Sequence, residues 1–498
     1  MLFNSMEFLI FFPIVLVIYY IIPDKIKYLW LLMTSYYFYM CWNVEYALLI
    51  LISTIITYIS GLLIEKIKHL DCQDDKKIKY KKMTVAGSFF INLGILVYFK
   101  YTNFFIETLN MIFQNIGISL SIPAFDIILP VGISFYTFQA LSYTMDVYRD
   151  DIYAEKNFYR YALFVSFFPQ LVAGPIERSK NLLKQLAVPK KFNFEMAREG
   201  FLLMLWGYFL KVVLADRIAI FVDTVYGDYV TYSGYYLIIA TVLFAVQIYC
   251  DFAGYSIVAI GASKILGIQL MENFDAPYLS KSVAEFWRKW HISLTSWFKD
   301  YLYIPLGGSR KGKARKYLNK LIVFLVSGLW HGASFSFVIW GGLNGIYQII
   351  GENLQPLRDK AVNFLGLHRE SLAHKMMKAI VTFVLVDFAW IFFRANNVND
   401  AFEIISSMFK VNNPWILFDG SIYTCGLDIK NYWVMIFSIF ILLFADYCKY
   451  KGIKIREVIV KQDYWFRWVF VAVVISVILT FGIWGPNYSE SNFIYFQF

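Results

Sequence analysis

The sequence carries little charge for its length. Charged residues make up 16% of the 498 residues and apolar residues 59%, whereas soluble domains average roughly 25% and 45–50%. Apolar runs long enough to cross a bilayer recur along the chain, and the short alternating segments of a transmembrane β-barrel are not seen. The composition therefore excludes an ordinary soluble enzyme and predicts an all-α, polytopic transmembrane helical bundle.

Cysteine is also scarce, and it follows no pattern. The five cysteines show neither a CxxC motif nor paired spacing, so the sequence predicts no metal site and no disulfide framework. The GxSxG and HExxH motifs and a glycine-rich phosphate loop are missing as well. Their absence argues against α/β-hydrolase, zinc-protease and nucleotide-binding chemistry. We expect no bound cofactor.

Basic residues outnumber acidic ones, but their placement follows membrane topology. The formal net charge is +10, yet lysine and arginine cluster in short loops between apolar runs, as expected for cytoplasmic loops. The net positive charge is therefore explained by insertion in the plasma membrane, and the sequence predicts no binding to nucleic acid. Because successive loops lie on opposite sides of the membrane, both the N-terminus and the C-terminus are predicted to lie outside the cell.

The positive-inside rule divides the chain into about 10 to 12 spans. The basic loops 65–82 and 449–467 are predicted to be cytoplasmic, and segments 108–126 and 220–234, which lack lysine and arginine, to be external. The predicted spans are 6–22, 28–42, 46–64, 85–105, 127–147, 197–215, 235–251, 318–335, 336–350, 376–393, 432–448 and 468–484. We treat 1–498 as one integral-membrane domain, with N-terminal helices 1–126, a catalytic core 127–350, C-terminal helices 351–484 and an external tail 485–498.

Two segments are predicted not to cross. Residues 161–176 are short, contain Pro169 and Pro175, and have basic residues on both sides, so we expect a re-entrant element with a broken helix. Residues 279–303 alternate charged and aromatic side chains, a pattern typical of helices at the membrane interface. Together these segments predict a central funnel or tunnel within the bundle.

Histidine is rare, with five residues in the chain, and His331 stands out. Its neighbours 327–340 carry no charge, and an ionisable side chain at membrane depth is costly enough to be a functional candidate. An imidazole can act as a general base, taking a proton from a hydroxyl that attacks an activated acyl group. His291 lies in a tryptophan-rich amphipathic run, where the alternative is an ordinary interfacial helix residue.

Asp251 is the next candidate, because it ends an apolar run predicted to span the membrane. One interpretation makes it a polar residue of the tunnel; the alternative is that it pairs with a lysine or arginine inside the bundle. Trp330 and Trp290 adjoin the two histidines in sequence and are predicted to be supporting tunnel residues.

Four stretches of the chain carry a recognisable pattern. They read FFPQLVAGPIERSKNLL (167–183), QIYCDFAGYS (247–256), NFDAPYLSKSVAEFWRKWHISLTSWFKDYLYIPLGGSR (273–310) and GLWHGASFSFVIWGGLNG (328–345). These stretches resemble the bacterial membrane-bound O-acyltransferases (MBOAT). The resemblance runs in order along nearly the whole chain. It is nearest to the branch of the alginate O-acetyltransferase membrane subunit. A sister branch D-alanylates teichoic acids. Ile257 stands where members of this branch often have Asp, which weakens any role for the 251–257 turn.

The resemblance implies roles for several residues and partners. His331 matches the family's catalytic histidine, at a tunnel where the two sides of the membrane nearly meet, and His291 matches a second, supporting histidine. The acyl donor would be a cytoplasmic thioester, either acetyl-CoA or an acyl carrier protein. The acceptor would be an exported or cell-wall polysaccharide, reached through an external acyltransferase partner protein.

The C-terminal residues 493–498 resemble the aromatic motif of a small partner peptide of the D-alanylation system, in which a tyrosine is thought to carry the acyl group. By this resemblance Tyr495 is a candidate transient acyl carrier, and the predicted topology places it outside. A phenol is a better leaving group than a sugar hydroxyl, so an aryl ester would stay activated. The alternative is that these aromatics only anchor the tail at the interface.

Three functions remain open at the level of sequence. The preferred one is O-acetyl transfer to a polysaccharide. The second is D-alanyl transfer from a carrier protein to a teichoic acid, which needs a cytoplasmic docking face. The third is a transporter or flippase for lipid-linked sugars, which commonly shows internal repeats with paired broken helices; we find no such repeat.

Overall fold

The protein is built from α-helices. The computed structural model describes residues 1–172, 174–484 and 494. Over these residues the chain forms α-helices, short 3₁₀ turns and two π-helical segments, and no β-strand occurs. The all-α prediction is confirmed. Tyr495, the candidate acyl carrier, lies outside the described residues.

Spatial proximity along the backbone groups the chain into two units. Unit 1 comprises Met1–Phe201 and Ala259–Met271, and unit 2 comprises Leu202–Val258 and Glu272–Phe498. The helices of unit 1 are α1 (Met6–Ile21), α2 (Lys27–Met40), α3 (Val44–Lys68), α4 (Asp74–Asn115), α5 (Ile133–Tyr148), α6 (Phe158–Ser166), α7 (Phe168–Leu171) and α8 (Ser179–Leu186). Two helices contribute residues to both units, α9 (Phe194–Tyr208) and α11 (Tyr235–Ile265). The helices of unit 2 are α10 (Asp216–Gly227), α12 (Val283–Lys289), α13 (Ile292–Phe298), α14 (Gly312–His331), α15 (Phe335–Asn353), α16 (Gln355–Phe364), α17 (Leu372–Arg394), α18 (Val398–Lys410), α19 (Ile429–Tyr450), α20 (Ile455–Val460) and α21 (Tyr464–Phe481).

Six helices of the described chain are long and apolar enough to cross a membrane. They are α3, α4, α11, α17, α19 and α21. Many of their apolar side chains are exposed, for example Phe437 at 61% and Trp468 at 74%, as expected for surfaces that face lipid. The chain is therefore a multi-pass membrane protein.

The lysine-rich segment 65–82 is more helical than the prediction of a loop allows. α3 continues to Lys68, and α4 begins at Asp74 and runs for 42 residues to Asn115. The segment 108–126, which the sequence predicts to be external, is therefore also helical in its first part. Lysine has a high helix propensity, and the basic last turn of α3 and the acidic first turn of α4 both complement the helix dipole.

The predicted break within 161–176 is present. α6 ends at Ser166, Phe167 leaves helical geometry (φ −52°, ψ 110°), and α7 restarts with Pro169 in its first turn. Polar side chains of unit 1 satisfy the freed backbone: Gln170 Nε2 donates to Phe164 O at 2.9 Å, and Phe168 N donates to Ser35 Oγ at 3.1 Å. Broken backbone at membrane depth requires such partners. That the segment enters and leaves on one side of the membrane stays a prediction.

The segment 279–303 consists of short helices, in agreement with the prediction that it does not span. α12 and α13 have seven residues each and are followed by a π-helical turn, Lys299–Tyr303. The chain changes direction between α12 and α13, at His291. This turn belongs to unit 2, as do α14 and α15.

Candidate active site

His331 is the last residue of α14 and is buried. The helix ends there because Gly332 adopts an extended backbone, φ −159° and ψ 150°. A side chain on Gly332 would collide with the ring of Phe337, so glycine lets that ring close over the turn. Only 3% of His331 is exposed. The imidazole therefore lies inside unit 2, at a helix end.

Glycines let α14 and α15 pack closely enough to enclose His331. A Cβ atom on Gly328 would collide with the carbonyl oxygen of Phe337, and one on Gly341 with that of Phe324. Small residues at such crossings allow backbones to approach in membrane proteins. The close crossing brings Trp340 of α15 alongside His331.

Aromatic rings surround His331. Its ring centroid lies 4.9 Å from that of Trp330, 5.0 Å from Trp340 and 5.4 Å from Phe393, all in edge-to-face arrangements. Phe393 comes from α17 and also contacts Trp340, at 5.2 Å. Edge-to-face contacts with several rings hold the imidazole in one orientation. They also keep its surroundings apolar.

His291 lies in the turn between α12 and α13 and is fully buried. Its backbone is left-handed, with φ 43° and ψ 54°, a conformation that non-glycine residues adopt rarely and at a cost. None of its surface is exposed. Burial lowers the pKa of its imidazole to about 3, because desolvation disfavours the charged form. The ring is therefore neutral at physiological pH.

Asn273 holds this turn in place. Its backbone carbonyl accepts from Ile292 N at 2.9 Å, and its side-chain oxygen accepts from Ser293 Oγ at 2.6 Å. Its amide nitrogen donates to Ser256 Oγ of α11 at 3.2 Å. One buried asparagine thus ties the residues after His291 to α11 and compensates for the strained backbone.

The structure brings His291 and His331 to the same tryptophan. The indole of Trp330 lies 6.1 Å from the His291 ring and 4.9 Å from the His331 ring, measured between centroids. Phe252 of α11 covers His291 at 4.6 Å. A further link fixes α12 to α15, since Trp287 Nε1 donates to Asn344 Oδ1 at 3.0 Å. Residues forty positions apart in sequence therefore form one cluster, with Trp330 shared between them.

Trp290 packs against a different set of aromatic rings from Trp330. Its ring packs against Phe286 at 5.3 Å, Trp390 at 5.3 Å and Tyr249 at 6.1 Å, and 1% of it is exposed. It belongs to the aromatic core beneath the turn. That core supports the position of the neighbouring His291.

Asp251 lies in a buried ion cluster. Its Oδ1 is 2.6 Å from Lys211 Nζ, and Lys211 Nζ is 2.7 Å from Asp216 Oδ1. Its Oδ2 accepts a hydrogen bond from the backbone N of Ile494 at 2.8 Å. The pairing with a lysine, one of the two alternatives for this residue, is what the structure shows. Whether Asp251 lines a tunnel stays a prediction.

Sequence reasoning missed several residues of this region. Lys211 was identifiable, because it is a cation within the otherwise uncharged run FLKVVLA and such residues are functional candidates in membranes. Trp340 and Phe393 carry no comparable signal, because aromatic residues make up 20% of the chain. Only the folded arrangement distinguishes the rings that contact His331 from the rest.

Comparison with known proteins identifies the family. The sequence profile of the MBOAT, membrane-bound O-acyltransferase family, matches residues 18–362. A probable alginate O-acetylase AlgI of Pseudomonas putida is 37% identical over 411 residues, covering 82% of this chain and 80% of that protein. A peptidoglycan O-acetyltransferase of Helicobacter pylori is 32% identical over 444 residues, covering 83% and 80%.

A third relative is more distant. A teichoic acid D-alanyltransferase of Bacillus subtilis is 29% identical over 238 residues, which cover 44% of this chain and 58% of that protein. The family match includes both His291 and His331. The chain is an acyltransferase and belongs to the membrane-bound O-acyltransferase family.

Proposed function

We propose that this protein O-acetylates an exported or cell-wall polysaccharide, using an acetyl group from a cytoplasmic thioester. The observation that carries the proposal is the burial of His331 and His291 against the one indole of Trp330. The relatives named alginate O-acetylase and peptidoglycan O-acetyltransferase support the acetyl group and the polysaccharide acceptor. Acetyl-CoA and an acyl carrier protein are the two candidate donors.

His331 acts as the general base in this proposal. It takes the proton of the attacking hydroxyl while that oxygen bonds to the thioester carbonyl carbon. When the tetrahedral intermediate collapses, the C–S bond breaks and the imidazolium returns the proton to the leaving thiolate. The thiol departs and the neutral imidazole is regenerated. The rings of Trp330, Trp340 and Phe393 around His331 disfavour water, which would otherwise hydrolyse the donor.

His291 has a supporting role. Its neutral, fully buried ring is suited to orient or polarise a reacting group by hydrogen bonding, and not to supply a positive charge. The turn that carries it is fixed by Asn273, so its position does not depend on a bound substrate. Such preorganisation is what a polarising group needs.

Tyr495 is the proposed transient carrier of the acyl group. His331 would deprotonate its hydroxyl, the phenolic oxygen would take the acyl group from the thioester, and an external partner enzyme would transfer it to the polysaccharide. In the described part of the tail, Ile494 is buried and bonded to Asp251. That contact holds Ile494, the residue directly before Tyr495, inside unit 2.

The second candidate is D-alanyl transfer to a teichoic acid. It is favoured by the similarity to the Bacillus subtilis teichoic acid D-alanyltransferase, but that similarity covers 44% of this chain, against 82% for the alginate O-acetylase relative. Membership of an acyltransferase family argues against the transporter alternative. O-acetyl transfer is therefore the better supported function.

The test compares His331→Ala with wild type in the producing cell. His368→Ala is the matched control, since His368 is exposed. Mild-base-labile acetate and D-alanine are quantified on the isolated polysaccharide, at equal protein level in the membrane. We expect acetate to be lost in His331→Ala and retained in His368→Ala. Loss of D-alanine instead identifies the second candidate, and no change in either group rejects both.

The carrier role of Tyr495 is tested separately. Tyr495→Phe keeps the ring and removes the hydroxyl. We expect polymer acetylation to fall to the level of His331→Ala. Acetylation at the wild-type level in Tyr495→Phe would disprove the relay while leaving the general-base role of His331 intact.

A further inference from the structure

A charged cluster lies inside unit 2, apart from the histidines. Lys211 Nζ is 2.6 Å from Asp251 Oδ1 and 2.7 Å from Asp216 Oδ1. The three residues are between 2% and 3% exposed. The two carboxylates outnumber the one lysine, and the buried guanidinium of Arg217 also interacts with Asp216. Buried charge is costly unless such groups stabilise it.

The cluster depends on unusual backbone. Lys211 lies in a π-helical segment, Phe209–Ala215, and single-turn π-helices are frequent at functional sites. α11 packs directly on this segment, because a Cβ on Gly254 would lie 2.8 Å from Gly207 O and 3.0 Å from Lys211 N. The close approach lets the short side chain of Asp251 reach Lys211.

The C-terminal part of the chain returns to the same place. Arg217 Nη2 donates to Phe481 O at 2.6 Å, and Ile483 N donates to Val212 O at 2.9 Å. Further along, Ile494 N donates to Asp251 Oδ2 at 2.8 Å, and 3% of Ile494 is exposed. The chain after α21 is therefore attached at described points both before and at Ile494.

We propose that Lys211, Asp216 and Asp251 form an intramolecular binding site that holds the C-terminal tail at Ile494 and positions it for acyl transfer. Asp251 is the positioning residue that accepts the backbone N–H, and Lys211 orients its carboxylate and balances its charge. A carboxylate is a strong acceptor for a peptide N–H. The role in transfer rests on the proposed function, since Ile494 directly precedes the proposed carrier Tyr495; the tail-binding site itself does not.

The first experiment measures how firmly residue 494 is held. Ile494→Cys is introduced into a variant lacking the five native cysteines, and the rate of maleimide labelling is followed in isolated membranes. We expect slow labelling in this background and labelling about tenfold faster or more when Asp251→Ala or Lys211→Met is added, since each removes a charge-assisted partner. Asp446→Ala is the control, because this buried carboxylate bonds to Tyr249 and not to Ile494. An unchanged labelling rate in Asp251→Ala overturns the proposal.

A second variant leaves the ion cluster intact. Ile494→Pro removes the backbone N–H, and it also replaces the side chain and fixes φ. Ile494→Ala keeps the N–H and controls for the loss of the isoleucine side chain. We expect acetylation of the polymer to fall about tenfold or more in Ile494→Pro and to stay within about threefold of wild type in Ile494→Ala. Equal activity of the two variants contradicts a positioning role. This comparison stays informative if the cluster variants fail to accumulate.

The two proposals fail in different ways. If Tyr495→Phe is fully active, the relay is wrong, and maleimide labelling of the Ile494→Cys variant still decides whether the cluster holds the tail. If labelling does not depend on Asp251 while Tyr495→Phe is inactive, the relay stands and the tail-binding site is rejected.

Discussion

At the residue level, the indole of Trp330 is the part of the site that both histidines share. It contacts His331 at 4.9 Å and His291 at 6.1 Å, and it is 4% exposed. A large planar ring that contacts both imidazoles restricts the orientations open to each of them. Its loss would affect both histidines without removing either.

Two substitutions of Trp330 distinguish the need for an aromatic ring at this position from the need for the indole itself. We expect Trp330→Phe to keep part of the activity and Trp330→Ala to lose about 100-fold or more, because a cavity lets the imidazoles leave their productive orientation. Polymer acetylation at matched membrane levels provides the measurement. Equal activity of Trp330→Ala and wild type would show that the ring does not position the histidines.

His291 combines an uncommon backbone with a buried ring. We expect His291→Asn to fold, because asparagine tolerates the left-handed conformation, and to lose acetylation by about 100-fold, a typical effect of removing an assisting polar group. His291→Val should accumulate poorly, since a β-branched residue there adds strain of about 1–3 kcal/mol. Membrane levels and acetylation of both variants check this. Wild-type accumulation of His291→Val would contradict the strain argument.

Among the secondary-structure elements, the pair α14 and α15 determines the site. The two helices cross at glycines, and the crossing sets Trp340 against His331. α12 is linked to α15 by the hydrogen bond that Trp287 Nε1 donates to Asn344 Oδ1. Helix packing thus locates His331 at the end of α14, whereas His291 is held in the turn that Asn273 ties to α11.

The crossing can be tested with two neighbouring glycines on α15. We expect Gly341→Ala to lower thermal stability and activity strongly, because its Cβ would collide with the Phe324 carbonyl. Gly342→Ala should be close to neutral, since its Cβ would lie 3.6 Å from Leu325 Cδ2, an ordinary contact. Unfolding temperatures of the purified variants in detergent provide the comparison. Equal stability of the two variants would show that the helices can separate without cost.

The sequence predicted some elements well and others poorly, for physical reasons. The break between α6 and α7 follows from Pro169, which restarts a helix but cannot continue one. α3 and α4 extend beyond the predicted spans 46–64 and 85–105, because lysines mark the membrane boundary equally well from a loop or from a helix. The sequence does not identify which basic residue pairs with Asp251, since periodicity does not report contacts between distant segments.

At the scale of the whole molecule, the membrane topology is the main prediction still to be tested. The six candidate spans establish a multi-pass protein. The sidedness of the loops, the location in the plasma membrane and the external position of both termini rest on the distribution of basic residues. The proposed transfer needs this sidedness, because the proposal takes the donor from the cytoplasm and the acceptor from outside.

Cysteine labelling checks the sidedness. In a variant without native cysteines, we expect Ser119→Cys to react with an impermeant maleimide in intact cells and Lys461→Cys to react only after permeabilisation. Both side chains are exposed, so accessibility within the protein does not limit either reaction. The reverse pattern would invert the topology, and the donor and acceptor sides would have to be exchanged.

The left-handed backbone of His291 has a consequence for natural variation. Single-nucleotide changes in a histidine codon lead to asparagine, aspartate, tyrosine, leucine, proline, arginine or glutamine. Of these residues, asparagine and aspartate adopt a left-handed backbone such as that of His291 most readily. Aspartate would bring a bare charge to a position with no exposed surface. Asparagine is thus the one residue within a single-nucleotide change that we expect to preserve the turn, and it lacks an imidazole. If His291 assists acyl transfer as proposed, a single-nucleotide change at this codon yields at best a folded enzyme of reduced activity.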